Sequence, residues 1–179
     1  MSLLYWRNLF RNWIQILKKL FLYASVYEEA VTVEALSWII GDEIDESPFV
    51  GELLQKLIQR GLFSKEEVYN RKVYTEHTIV RDFAQNKLKE ETLDKKKLLL
   101  RAAKYYENLA DQNKNIWDIL RARDYYFQAE EWECASHIVL TIVDALIRWG
   151  YIELSMSLLN ESIKTVSDEE KWSLKFPLL

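Results

Sequence analysis

Apolar residues recur at helical spacing through most of this chain. Leu9, Trp13, Ile16, Leu17, Leu20 and Phe21 form one stripe, which predicts a helix from about Leu4 to Ala24. Thr32 is a fitting N-cap for a short helix through Ile40, and Gly41 a fitting stop. Ser47-Pro48 opens the next helix, with Val50, Leu53, Leu54, Leu57 and Ile58 as its apolar face and Gly61 as its end. Two short alternating runs follow, Leu62 to Ser64 and Val73 to Glu76. With Lys65 to Lys72 between them, they predict a small hairpin. A further helix is expected from Thr78 to about Glu90, burying Ile79, Val80, Phe83 and Ala84.

After Thr92 the texture changes to helix upon helix with very short connections. A polar-faced helix starts at Lys95 and carries Leu98, Leu99, Ala102, Tyr105, Tyr106 and Leu109. Ile116 to Ala129, Trp132 to Trp149 and Tyr151 to Val166 come next, and Gly150 stops the second of these. The last is expected to bury Leu154, Leu158, Leu159 and Ile163. Ser167-Asp168-Glu169-Glu170 reads as a capping box for one more helix at Lys171. Ala102, Ala103, Ala122, Ala129, Ala135 and Ser155 supply small side chains where helices must approach closely. That is the logic of an α-solenoid, in which each helix pair buries its face on the next, although no fixed period of about 34 residues fits.

The pattern therefore predicts a mainly α protein. Residues 1–91 form a winged helix, a three-helix core with a small β-hairpin wing, behind an N-terminal helix. Residues 92–179 form a TPR-like superhelical arm. A last helix that has barely begun at Leu179 leads us to expect an excerpt from a longer protein.

Composition narrows the functional classes. The chain has 179 residues, 49% hydrophobic and 29% charged, so it can fill a core and stay globular. A formal charge of −4 argues against broad nucleic-acid binding. Cys134 is the single cysteine, which excludes an internal disulfide and fits a reducing, cytoplasmic setting. With His77 and His137 it makes too small a set for a structural zinc site. Arg7, Arg11, Lys18 and Lys19 interrupt the apolar N-terminal helix, and each would cost ~2.5–3.5 kcal/mol at a bilayer centre. We expect no membrane partner, although an interfacial amphipathic helix is an alternative reading of this segment.

The first half resembles the winged-helix subdomain of NB-ARC and related STAND signal-transduction ATPases. Leu17 to Glu29 resembles its opening helix and turn, and Leu36, Trp38 and Gly41 its second helix. Leu57-Ile58-Gln59-Arg60-Gly61-Leu62-Phe63 resembles the third helix entering the wing. Glu76-His77-Thr78 falls on the family's Met-His-Asp motif, with Ile79 to Ala84 continuing the next helix. The likeness spans about Leu17 to Leu88. It implies that His77 contacts the β-phosphate of ADP held mostly by another segment, and that ADP or ATP is the cofactor of the full-length protein. Glu76 and Thr78 depart from the motif, so a contact made by the family's aspartate is not carried over. The second half is similar, more loosely, to the helical arm that follows the winged helix in bacterial and archaeal STAND regulators. Ala122-Arg123-Asp124-Tyr125-Tyr126-Phe127-Gln128-Ala129 is the phrase that carries this likeness.

The bland alternatives stand beside these readings. His77 is either a nucleotide sensor or a half-buried histidine capping a helix. Gly41, Gly51, Gly61 and Gly150 are isolated, and none precedes a Lys-Ser or Lys-Thr pair. The chain thus has no phosphate loop of its own and no catalytic constellation, and we expect it not to be an enzyme. His137 reads as a surface or packing histidine and Cys134 as an apolar filler. The run Lys87, Lys89, Lys95, Lys96, Lys97, Arg101 and Lys104 reads as a solvated helix face. Tyr105, Trp117, Tyr125 and Trp132 are either core between helices or a partner surface for a protein or small-molecule signal.

Three functional readings follow. The first is the switch and sensor portion of a STAND ATPase, partnered by the nucleotide-binding domain of the same parent chain. The second is a DNA-binding winged-helix regulator with a helical effector domain. The third is a TPR-like interaction scaffold. Third-helix and wing charges nearly cancel, so DNA is the weaker partner.

Overall fold

The computed structural model describes residues 3–41, 47–68, 70–91 and 94–166, with side chains described from Ile14 onward except at 47, 48 and 166. It is mainly helical, with one two-stranded antiparallel sheet. The chain divides into two compact units, Met1–Ala102 and Ala103–Leu179.

The first unit contains α1 (Leu3–Ala24), α2 (Val33–Ile40), α3 (Ser47–Gln59), β1 (Phe63–Val68), β2 (Arg71–Glu76), α4 (Thr78–Glu90) and the start of α5 (Lys95–Asn113). Its core is built from the stripes of α1 to α3. Leu20, Leu36, Ile39, Leu53 and Leu54 are wholly buried, each contributing roughly 1.5–3 kcal/mol by leaving water. Thr32 caps α2 by accepting from the Ala35 amide at 3.4 Å. Gly41 ends that helix at φ +61°.

The hairpin is longer than its apolar alternation indicates. The ladder runs from Phe63–Glu76 to Val68–Arg71, so Lys65 to Val68 and Arg71 to Lys72 belong to strands up to the turn. Asn70 takes a left-handed φ of 63° there, a conformation its short polar side chain tolerates. The strand ends escape an alternation search because Lys65 to Val68 are all exposed. One more bridge pairs β2 with the α1–α2 connection: Val31 N donates to Tyr74 O at 2.9 Å, and Tyr74 N to Val31 O at 2.8 Å.

The boundary between the compact units lies inside α5, between Ala102 and Ala103, some ten residues beyond the change of texture at Thr92. The reason is visible at Arg101. Its Nη1 donates to the carbonyls of Ile39 at 2.9 Å and Ile40 at 3.0 Å, closing the open C-terminus of α2 with a cation. A residue that reads as part of a solvated basic face is a helix cap from a distant element.

The second unit continues α5 and adds α6 (Ile116–Gln128), α7 (Trp132–Arg148) and α8 (Ile152–Val166). Among these, α7 packs on both α6 and α8. Ala103, Ala122 and Ala135 are buried, as the small-residue pattern requires. Tyr106 and Tyr125 stack with centroids 5.5 Å apart, and Tyr126 donates its hydroxyl to Glu107 at 2.7 Å. Arg123 is buried and bonds Asp124 and Glu161, with its guanidinium 4.5 Å from the Phe127 ring centre.

Several side-chain placements differ from the periodicity. Ile163 of α8 is 63% exposed, because the buried face of α8 runs through Ser155 and Leu158. Cys134 is exposed, and Ala135 beside it takes the inward place on α7. The capping box at Ser167–Glu170, the helix at Lys171 and the side chains of Leu9 and Trp13 lie outside the described residues.

Candidate functional site

The junction between β2 and α4 is fixed from three sides. β2 is held by β1 and by the Val31 bridge. The Arg81 Nη1 donates to Glu28 O at 2.8 Å, and one turn later Gln85 Nε2 donates to Ser25 O at 2.8 Å. These two bonds seat α4 on the turn after α1. That turn is itself rigid: the Ser25 hydroxyl donates to Leu22 O at 2.6 Å and the Tyr27 hydroxyl to Ala35 O at 2.9 Å. At the far end of α4, Lys18 pairs with Glu91 at 2.6 Å.

His77 stands at the N-cap of α4, with φ −62° and ψ 139°. Its carbonyl accepts from the Arg81 amide at 2.8 Å, but its side chain makes no capping bond. The residue is exposed, as is Thr78. The first turn of α4 contains no acidic residue. A helix start without a carboxylate keeps its partial positive charge available to an outside anion.

The apolar face of α4 departs from expectation. Ala84 and Leu88 are buried, but Ile79 is 85% and Phe83 55% exposed. Ile79 and Phe83 are one turn apart, on the side of the helix opposite Ala84 and Leu88. Sequence periodicity cannot tell two apolar stripes on one helix from a single broad one. The outcome is an exposed apolar pair beside an exposed histidine, with Lys87 reaching to 5.9 Å from the Phe83 ring centre.

Glu76, immediately before His77, turns the other way. It is 6% exposed and faces Phe63 across the ladder. Neither carboxyl oxygen has a hydrogen-bond partner. Burial pushes its pKa up to about 8, against the opposing pull of Arg81. Sequence alone marks Glu76 as a departure from a motif and misses that it is a buried acid. The alternation Tyr74 in, Thr75 between, Glu76 in is the available signal.

The aromatic candidates of the second unit separate. Tyr105 and Tyr125 are each 8% exposed and belong to the interior. Trp132 is half-buried and meets Phe127 edge to face at 4.8 Å. Trp117 is exposed and meets Tyr151 edge to face at 5.3 Å. The exposed large apolar side chains here also include Trp149, Ile152 and Met156. His137 is exposed on α7.

Among the described residues, no group of His, Cys, Asp and Glu is arranged to hold a metal ion, and no helix is long and apolar enough to cross a membrane. Compared with known proteins, the chain matches no family model, no curated protein and no solved structure.

Proposed function

We propose that this chain is the switch and sensor portion of a STAND-type signalling ATPase. In this reading residues 1–91 are a winged helix behind an N-terminal helix, with the hairpin as the wing, and residues 92–179 are a TPR-like arm. One observation carries it: His77, Ile79 and Phe83 are presented together to the outside at the start of α4. An 85% exposed isoleucine one turn from an exposed phenylalanine, beside a helix start without a side-chain cap, supports docking on a nucleotide domain: the apolar pair supplies contact area, and His77 with the α4 N-terminus supplies donors for a phosphate.

The residues fit a phosphate of ADP on this chain's side. His77 is accessible and the first turn of α4 is free of acids. Glu76, the nearest carboxyl in sequence, is buried and held neutral up to about pH 8. Bound ADP would supply the phosphate charge, to which His77 would donate, and Ile79 and Phe83 would exclude water at the rim. A protein or small-molecule signal on the arm would pull this docked state apart and allow exchange for ATP. DNA binding ranks second. On α3 and the turn after it, Glu52 opposes Lys56 and Arg60, and on the hairpin Glu66 and Glu67 oppose Lys65, Arg71 and Lys72, which leaves little net attraction for a phosphate backbone.

The test uses the longer polypeptide that joins this chain to its nucleotide domain. Replacing His77 by Ala removes a charge-assisted donor worth about 1.5–3 kcal/mol, so ADP should dissociate roughly tenfold faster or more. An ADP release rate equal to that of the unaltered protein rejects this assignment.

A further inference from the structure

Glu76 is the buried carboxyl among the described residues that lacks any hydrogen-bond partner. A carboxylate in such surroundings costs several kcal/mol unless it takes up a proton or finds a counter-charge. The counter-charge that it feels does not bond it. Arg81 on α4 is the charged group whose field Glu76 feels, yet its guanidinium donates to Glu28 O at 2.8 Å. On β1 the facing residue is Phe63, which offers neither charge nor donor. His77, next in the chain, lies on the exposed side of the junction.

We propose that Glu76 is a proton-operated latch: while its carboxyl is neutral the end of β2 stays sealed in the first unit, and when it ionises the carboxylate is drawn toward water and Arg81, opening the junction that carries His77. The two states exchange tethers. In the closed state Arg81 anchors α4 to the Glu28 carbonyl and Glu76 is sealed. In the open state Arg81 turns toward the carboxylate, its bond to Glu28 O loosens, and the Gln85 bond to Ser25 carries more of the seat of α4. Position 76 is the last residue of the sheet and one residue from the helix cap, so a small outward movement there reorients His77 and the Ile79 turn together. The latch follows from the burial of Glu76 and does not rest on the function proposed above.

The experiment is amide hydrogen exchange on this chain between pH 5 and 9, comparing the native protein with Glu76→Gln. Intrinsic exchange cancels between the two at each pH. For amides of residues 73–82, the native-to-variant rate ratio should rise about tenfold per pH unit from pH 5 to 8 and then level off. Amides of α7 serve as the reference and should show a flat ratio. A flat ratio at residues 73–82 overturns the latch. Should Glu76→Gln fail to fold, the carbon-13 resonance of the Glu76 carboxyl in the native protein decides instead. A titration midpoint near 8 that coincides with movement of the His77 ring signals supports the latch. A midpoint in the ordinary carboxylate range, or His77 signals indifferent to it, ends it.

Discussion

Replacing Glu76 by Met should make the first unit more stable, and the gain should grow with pH. The native carboxyl has an ordinary value of 4.5 when exposed and about 8 when folded. Between those values the folded chain holds a proton that the unfolded chain has released, so native stability falls as pH rises through this window and is level above it. Below 4.5 both states are protonated and this penalty is absent. At 1.36 kcal/mol per pH unit, the difference between Glu76→Met and the native chain should widen by roughly 4 kcal/mol from pH 5 to pH 8.5. Methionine fills similar space without an ionisable group, so its curve lacks this component. Urea unfolding at the two pH values, read from amide signals of the first unit, measures the difference. Parallel pH dependences in the two proteins would show that Glu76 ionises freely in the folded state.

Gly41→Ala should be the costliest of the four glycine-to-alanine changes, at roughly 2–4 kcal/mol. Gly41 has φ +61° and ψ −143°, a region nearly closed to residues with a side chain, where strain runs to about 1–3 kcal/mol. A Cβ there would also lie 2.8 Å from the Arg101 Cζ and 2.9 Å from its Nη2. Arg101 can swing aside, but only by abandoning the Ile39 and Ile40 carbonyls, charge-assisted bonds worth about 1.5–3 kcal/mol. Gly61→Ala is the control: φ is +69° and nothing lies within 4 Å of the added atom, so about 1–2 kcal/mol is expected. Denaturation midpoints for both variants check the ranking. Equal costs would mean that Arg101 does not hold the end of α2.

The helices are legible in the sequence because their caps and stripes are explicit. Thr32 and Gly41 bracket α2, and Ile116 to Gln128 and Trp132 to Arg148 lie within a residue of their expected spans. The hairpin is legible only in part, since β1 beyond Ser64 and β2 before Val73 are polar and exposed, leaving no alternation to read. The tether from Arg101 to α2 is not legible, because it spans about sixty residues of sequence. Local pattern does not encode such a contact. His77 as a helix-start residue is readable from Thr75 to Ala84. Its surroundings are not: Ile79 and Phe83 match the spacing of a buried stripe, and only the tertiary seat of α4, fixed by Arg81 and Gln85, turns Ala84 and Leu88 inward instead. The same limit applies to Tyr105 and Tyr125, whose interior stacking with Tyr106 no one-dimensional pattern separates from a recognition surface.

Nucleotide-dependent protection of the α4 face tests the central proposal most directly. In the proposed longer polypeptide with its nucleotide domain, amide exchange across residues 77–86 should be slowed about tenfold or more with ADP bound and should revert when a non-hydrolysable ATP analogue replaces it. Exchange at these residues that is the same with ADP, with the ATP analogue and without nucleotide would contradict a docked state in which His77 meets the bound phosphate.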